Sequence, residues 1–462
     1  MKPKDKIVAD PKMRPNILYL HSHDTGRYIE SYGYGVRSPN LQRLAEGGVT
    51  FRRAFCAAPT CSPSRASLLT GQSAHSSGML GLAHRGFHLN DPSQHIATTL
   101  RDAGYETVLA GVQHVTSGDP SGLGYTTVPS GTHENTGATV RAAVEAIQHA
   151  ASHPDQPFFL DAGFFETHRP FPDAPEEAAR YVSPPPPLPD TAHVRQDMAG
   201  YQQSLTDLDN AYGEILDTLD STGLADTTLV IATTDHGIAF PWMKCNLTDH
   251  GTGVLLIMRG PGGFSGGQVN DAMVSHLDLY PTICELAGIE RPDWLQGHSM
   301  LPLMRGETDV IREEVFAEVT FHAAYEPQRG IRTDRHTLIR RFGDRQTPVL
   351  PNLDDGPSRD DVMDAGYADA GLPEIALFDN LLDPQQRVNL AESPAHRAIR
   401  DDLLARLQRW MAETDDPLLL GDVPVPPGAR VNDPASTTFS EHLLESDADG
   451  TLHRIPNPGT IR

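Results

Sequence analysis

Cys61-Ser62-Pro63-Ser64-Arg65, running on as Ala66-Ser67-Leu68-Leu69-Thr70-Gly71, sets a thiol, two hydroxyls and a guanidinium side by side. Pro63 suits the first turn of a helix and Ser64 to Thr70 carry apolar positions at helical spacing, which predicts a helix with Cys61 just ahead of its N-terminus. Unpaired amide N–H groups and the helix dipole favour an anion at that place. Arg65 adds a fixed cation, and a thiol so placed is expected to be acidified. On residue type alone, a buried structural cysteine beside a capping serine is the commoner case.

Two further points in the chain offer metal ligands. Asn16-Ile17-Leu18-Tyr19-Leu20 reads as a buried strand that delivers His23-Asp24, and Thr228-Leu229-Val230-Ile231-Ala232-Thr233 as another that delivers Asp235-His236. Each pairs an imidazole with a carboxylate, and in an open α/β sheet ligands converge at the C-terminal ends of strands. Either pair alone often does no more than cap a loop; with Cys61 they make a candidate metal and anion centre.

The elements that would position these groups alternate. Helices are expected over 41–47, 96–103, 137–149, 196–219 and 277–287, and strands over 107–110, 157–162 and 254–258, an α/β pattern of a doubly wound mixed sheet flanked by helices. Past about residue 310 the pattern changes. Short strands over 315–319, 330–333, 337–341 and 376–379, then a helix over 395–414, predict a smaller C-terminal α+β subdomain, an antiparallel sheet plus helix. The expected division is 1–310, 311–420 and an extended tail 421–462 that wraps the surface or mediates homo-oligomer contact. Residues 354–369, rich in Asp and Gly, read as a solvated loop.

The chain has 462 residues and a formal net charge of -24, which repels nucleic acid and anionic membrane surfaces. An anionic ligand would need a locally positive pocket, which favours a small substrate over a long polyanion. Met1 to Arg14 is basic and polar with no apolar core, so neither a secretory signal nor a membrane span is read there. Cys56, Cys61, Cys245 and Cys284 have no zinc-type spacing or disulfide framework, and the chain reads as cytoplasmic.

The run from Cys61 to Gly71 resembles the signature of the sulfatases, alkaline phosphatase superfamily enzymes in which this cysteine is oxidised to formylglycine by a maturation enzyme. Gly78-Met79-Leu80-Gly81-Leu82, His168-Arg169, Gly237-Ile238-Ala239-Phe240-Pro241 and Glu413-Thr414-Asp415-Asp416-Pro417 most resemble the heparan N-sulfatase (sulfamidase) branch. The resemblance implies one divalent metal ion held by His23, Asp24, Asp235, His236 and residue 61. Calcium is the family default. His23 and His236 stand where aspartate and asparagine are usual, and imidazole ligands favour manganese. It further implies that Arg65 activates the nucleophile, His114 contacts formylglycine, His168 protonates the leaving group and Lys244 holds the sulfate oxygens. Val112 replaces a usual lysine.

The implied reaction is hydrolysis of a sulfate ester or sulfamate by covalent catalysis. His88 and Arg169 are the substrate-binding candidates with matching context; Arg27, Tyr28, His84, Arg85 and His322 also lie near the motifs. Asp235-His236-Gly237 also resembles the phosphonate monoester and phosphodiester hydrolases, which defines a second reading. A non-catalytic anion-binding homologue that keeps its thiol is a third.

Overall fold

The centre of the molecule is a mixed sheet of β1 (Asn16–Ser22), β2 (Val49–Phe55), β3 (Glu106–Gly111), β4 (Phe158–Gly163), β5 (Thr228–Thr234), β6 (Gly253–Val254), β7 (Leu256–Arg259) and β8 (Gln268–Ser275), in which the largely apolar runs β1, β3, β4 and β5 are buried. The computed structural model describes residues 14–133 and 135–456, so the basic segment before Arg14 lies outside the described residues. The strand order is β3-β4-β1-β5-β7-β2-β6, with β8 on β2. β3, β4, β1 and β5 run parallel, while β7 is antiparallel to both β5 and β2. The fold is therefore the α/β sheet expected, with mixed strand direction.

Both faces of this sheet are covered, which is why its strands read as continuous hydrophobic runs. Tyr19, Phe159 and Ile231 pack towards Leu68, Leu69, Tyr280 and Ile283 on one side. Leu18, Leu20, Leu160 and Val230 meet Ile147, Leu205, Leu208 and Tyr212 on the other. Each such side chain contributes about 1.5–3 kcal/mol on burial. The parallel register aligns His21 with Gly163 of β4 and Thr233 of β5, so the residues just beyond each strand emerge at one level.

The C-terminal subdomain is a four-stranded antiparallel sheet of β9 (Glu314–Phe321), β10 (Tyr325–Thr333), β11 (His336–Arg341) and β12 (Ile375–Asp379), in the order β12-β11-β10-β9. The Arg397–Glu413 helix buries Leu403, Leu407 and Met411. A buried ionic clasp ties this unit to the large sheet's helices. Arg329 donates to both carboxylate oxygens of Asp416 (2.6 and 2.9 Å) and lies 3.2 Å from Glu318, while Glu318 accepts from His75 Nδ1 at 2.9 Å.

Two expectations fail here. The Asp- and Gly-rich stretch contains a helix, Pro357–Asp364, which is not a solvated loop: Ser358 and Arg359 are buried, and Ser358 donates to Asp197. The described part of the tail, to residue 456, is folded and not a bare extension. β13 (Arg430–Asn432), β14 (Leu443–Ser446) and β15 (Leu452–Ile455) form an antiparallel sheet, and Asn432 accepts from Arg85 at 2.7 Å. Arg85, also stacked on Phe439, thereby anchors the tail. Among the described residues, no helix is long and apolar enough to cross a membrane.

Candidate active site

Cys61 opens the Cys61–Thr70 helix, with extended Thr60 as its N-cap, so the thiol sits in the first turn and not ahead of it. Every residue of this helix is buried. Ser62 Oγ accepts from Ala83 N (3.0 Å) and Ser64 Oγ donates to Asp235 O (2.6 Å), fixing the helix against the ends of β5 and the loop after it. The side-chain ligand atoms of Asp24, Cys61, Asp235 and His236 all lie within 4.8 Å of one another. Residues far apart in the chain thus meet at the C-terminal ends of β1 and β5, beside the helix N-terminus.

The donor set fits a cation. His236 Nδ1 donates to Gly237 O at 2.9 Å, which leaves Nε2 with its lone pair facing inwards. Nε2 is buried without a hydrogen-bond partner, 3.4 Å from Asp24 Oδ1, which is also unpartnered. Two buried acceptors facing each other repel, and a metal ion between them satisfies both. Asp235 Oδ1 accepts from the amides of Asp24 (2.8 Å) and His236 (2.9 Å), while Oδ2 is 3.1 Å from Arg65 Nη2. Burial opposes that carboxylate's charge, but Arg65 and the hydrogen bond from the Asp24 amide hold its pKa below the usual range.

His23 is not part of this ligand group. Its Nδ1 donates to Phe164 O (2.8 Å) and its Nε2 lies 3.4 Å from His114 Nδ1. His114 Nε2 in turn lies 3.1 Å from His84 Nδ1, so both nitrogens of His114 face imidazoles. Burial pushes His23 and His114 well below the usual histidine pKa, Arg65 adding to the effect on His23 and His84 to that on His114; both rings are neutral bases near neutral pH. Asp24 (φ 52°) and His114 (φ 55°) sit in the left-handed region that non-glycine residues avoid, a strain held by the surrounding hydrogen bonds.

Lys244 comes from the loop after β5. Its Nζ is 3.0 Å from Asp24 Oδ2, 3.3 Å from Asp354 Oδ1 and 3.5 Å from His168 Nε2. Burial disfavours the ammonium, but Asp24 and Asp354 outweigh it and raise its pKa well above the usual value. His168 Nδ1 donates to Arg169 O (2.6 Å), so Nε2 is the atom turned to the site.

The expected acidification of Cys61 does not occur. Burial pushes the thiol pKa up, and although Lys244 opposes this, Asp24, Asp235 and Asp354 reinforce it. An unmodified Cys61 is therefore a protonated, weak nucleophile at neutral pH.

Arg169 is not free to meet a substrate. Nη1 and Nη2 form a fork on Asp197 (2.8 and 2.6 Å), Nε donates to Ala239 O (2.7 Å), and the guanidinium stacks on Phe171 and Phe240. His88 is exposed, with Nδ1 donating to Leu89 O at 3.1 Å, and joins none of these groups. Tyr28 is buried against His250, and Arg27 stacks on Phe55.

Sequence reasoning missed three participants. Asp354 lies in the stretch read as loop. His21 faces Arg65 through Nδ1 and Asp161 through Nε2 (2.7 Å), and Asp161 accepts from Tyr125 (2.5 Å), so a buried chain of polar groups supports the arginine from behind. The signal for Asp161 was available: it is a carboxylate in an apolar run, in register with Tyr19.

Comparison with known proteins agrees with this geometry. The sulfatase family model matches residues 15–289, and a model described as N-sulphoglucosamine sulphohydrolase, C-terminal, matches residues 242–372. The chain is 29% identical to the N-sulphoglucosamine sulphohydrolase of Homo sapiens, over 88% of this chain and 92% of the relative. It is 27% identical to an ulvan-active sulfatase of Formosa agariphila, over 89% and 83%. Among solved structures, one in complex with its substrate D-glucosamine-2-N,6-O-disulfate is 18% identical, covers 87% of this chain and 99% of that chain, and has a TM-score of 0.66. The phosphonate monoester hydrolase of Agrobacterium radiobacter is 21% identical over 87% and 96%, also with a TM-score of 0.66. With a family model spanning more than half of its length and the anion centre that the fold assembles, the chain belongs to the Sulfatase family.

Proposed function

We propose that the protein hydrolyses a small sulfate ester or sulfamate, of which an N-sulfoglucosamine-type sugar is the favoured example, using a formylglycine formed from Cys61. The observation that carries the reading is the meeting of Asp24, Cys61, Asp235 and His236 beside Arg65 and Lys244. The similarity to N-sulphoglucosamine sulphohydrolase supports the sugar. The modification would supply a hydrated aldehyde, whose hydroxyl is a far better nucleophile than the buried thiol. A divalent ion held by Asp24, Asp235, His236 and residue 61 would supply positive charge that acidifies that hydroxyl and offsets charge on the ester oxygens. The imidazole of His236 favours manganese over calcium.

The chain's own groups divide the remaining work. Arg65, paired with Asp235 and backed by His21, holds a fixed positive charge at the first turn of the Cys61 helix. Lys244 places a second cation against Asp24, 3.0 Å from its Oδ2. His168 Nε2 accepts from Lys244 in the free site and, on taking up a proton, is positioned to deliver it to a leaving oxygen or nitrogen. His114 is neutral and receives a proton through whichever ring nitrogen parts from His23 or His84. His236 also keeps a phosphodiester or phosphonate monoester hydrolase as the second reading, since that residue replaces the asparagine the resemblance implies.

Mass spectrometry of the peptide carrying residue 61, with a substrate panel, tests the proposal. Replacement of sulfur by an aldehyde oxygen together with turnover of an N-sulfated or O-sulfated sugar is expected. Turnover of phosphoryl diesters alone would transfer the protein to the second reading. Retention of the thiol in active protein would remove the formylglycine step.

A further inference from the structure

Lys244 has three ammonium hydrogens and three acceptors around them: Asp24 Oδ2, Asp354 Oδ1 and His168 Nε2. Asp354 is the unexpected one. It reaches into an anion site from the segment between β11 and β12 of the C-terminal subdomain, and it is a carboxylate in a place that must receive an anion. Its charge is not cancelled locally. Lys244 is shared with Asp24, and Arg169 forks onto Asp197. His322, the next residue after β9, is buried with Nδ1 unpartnered, and burial beside Lys244 keeps its ring neutral. Around the centre the chain therefore contributes three carboxylates, Asp24, Asp235 and Asp354, against two cations, Arg65 and Lys244. A bound divalent ion would leave the site with one net positive charge; without Asp354 it would carry two.

We infer that Asp354 is a specificity-determining charge filter, matching the site to tetrahedral esters that carry one negative charge, such as sulfate monoesters, sulfamates and phosphodiesters, and against dianionic phosphate monoesters. The inference rests on the reading of Lys244 as the group that receives the substrate's anionic oxygens. A dianion meets the Asp354 charge with one more negative charge than a monoanion does. At the effective dielectric of a protein site, a unit charge several ångströms away shifts such a ratio by about tenfold or more.

The test compares wild type with Asp354→Asn, Asp354→Ser and Asp354→Glu on 4-nitrophenyl sulfate, bis(4-nitrophenyl) phosphate and 4-nitrophenyl phosphate, at about pH 8, where the phosphate monoester is a dianion. The ratio of kcat/KM for 4-nitrophenyl phosphate to that for the better monoanion should rise about tenfold or more in Asp354→Asn and Asp354→Ser. It should stay near wild type in Asp354→Glu. A second readout needs no turnover. In a Cys61→Ala background, calorimetric Kd values for inorganic phosphate against dimethyl phosphate should shift the same way when Asp354→Asn is added. An equal loss on all three substrates, or an unchanged ratio in both readouts, would overturn the filter and leave Asp354 a structural partner of Lys244. Because bis(4-nitrophenyl) phosphate is itself a monoanion, the ratio remains measurable if sulfate esters prove not to be substrates. Failure of the filter and failure of the proposed function are thus separable.

Discussion

Replacing Arg169 separates a substrate ligand from a structural wall. In the structure its side chain is 10% exposed and that of Asp197 4% exposed, and the two meet through a fork of 2.8 and 2.6 Å. Arg169→Ala leaves the Asp197 carboxylate buried with Ser358 as its remaining donor and uncovers the ring faces of Phe171 and Phe240. Breaking a buried ion pair from one side costs about 3–5 kcal/mol, which for a chain of this size lowers the melting temperature by roughly 3–5 °C. Arg169→Lys keeps a charge but not the fork, so it should fall between the two. Arg169→Met combined with Asp197→Leu should recover much of the loss, because no unpaired charge remains. The assays are thermal melting by circular dichroism and Michaelis kinetics on the same preparations. If Arg169→Ala melts within about 2 °C of wild type while KM rises steeply, the wall argument is wrong and Arg169 is a substrate ligand, as the sequence suggested.

Three further outcomes follow from the electrostatics. Glu318 is buried, and although burial opposes its charge, His75 and Arg329 hold its carboxyl down to about 2 from an ordinary 4.5. Because the folded pKa is the lower one, its stabilisation, on the order of 3 kcal/mol, is complete above the unfolded pKa and is lost as pH falls towards 2. Urea titrations of Glu318→Gln should therefore show a shallower loss of stability between about pH 4.5 and pH 2 than wild type. Chelation should lower the melting temperature, and an ion present at about 100 times its Kd should restore about 3 kcal/mol. Manganese should restore more than calcium in wild type and less in His236→Asn, and greater stabilisation of wild type by calcium would refute the imidazole argument. Cys61→Ala should abolish turnover of every ester while leaving the melt within about 1 kcal/mol of wild type, since the substitution removes little volume from an otherwise intact helix; residual turnover would place the nucleophile elsewhere.

The strands that carry the centre were legible because parallel strands covered on both faces must be apolar throughout, and their polar residues then stand out at one end. Ile17 to Leu20 and Leu229 to Ala232 pointed directly at Asp24, Asp235 and His236. β2 and β8 were not legible, because they pair with each other at the margin of the sheet. Arg52 and Arg53 interrupt β2, and Arg52 is satisfied by an exposed pair with Asp271 of β8 that only tertiary contact creates. His23 was misassigned for a related reason. Adjacent residues beyond a strand point in different directions, and spacing alone does not reveal that the left-handed turn at Asp24 sends one side chain to the ligand group and the other to Phe164 and His114. The acidified thiol failed on magnitude: the N-terminal dipole and Arg65 act on Cys61, but burial among three carboxylates is stronger.

The same reasoning changes the part assigned to the C-terminal subdomain. A covering sheet would need only apolar contacts, yet this one sends Asp354 to Lys244, sets His322 beside it, and is fastened by Arg329, Glu318 and Asp416 to His75, shortly after the Cys61 helix. A net charge of -24 works against any anion's approach, so the local positive charge that Arg65, Lys244 and a bound ion create must be kept just sufficient for the substrate. Asp354 sets a negative charge against it, 3.3 Å from Lys244. Loosening the clasp should then alter substrate charge preference as well as stability, because the segment that carries Asp354 is held on one side by β11 and β12 and on the other by the bond from Ser358 to Asp197. If Asp354 acts as inferred, the subdomain is a wall of the active site, and the charge preference of the centre is set from outside the α/β unit whose helix bears Cys61.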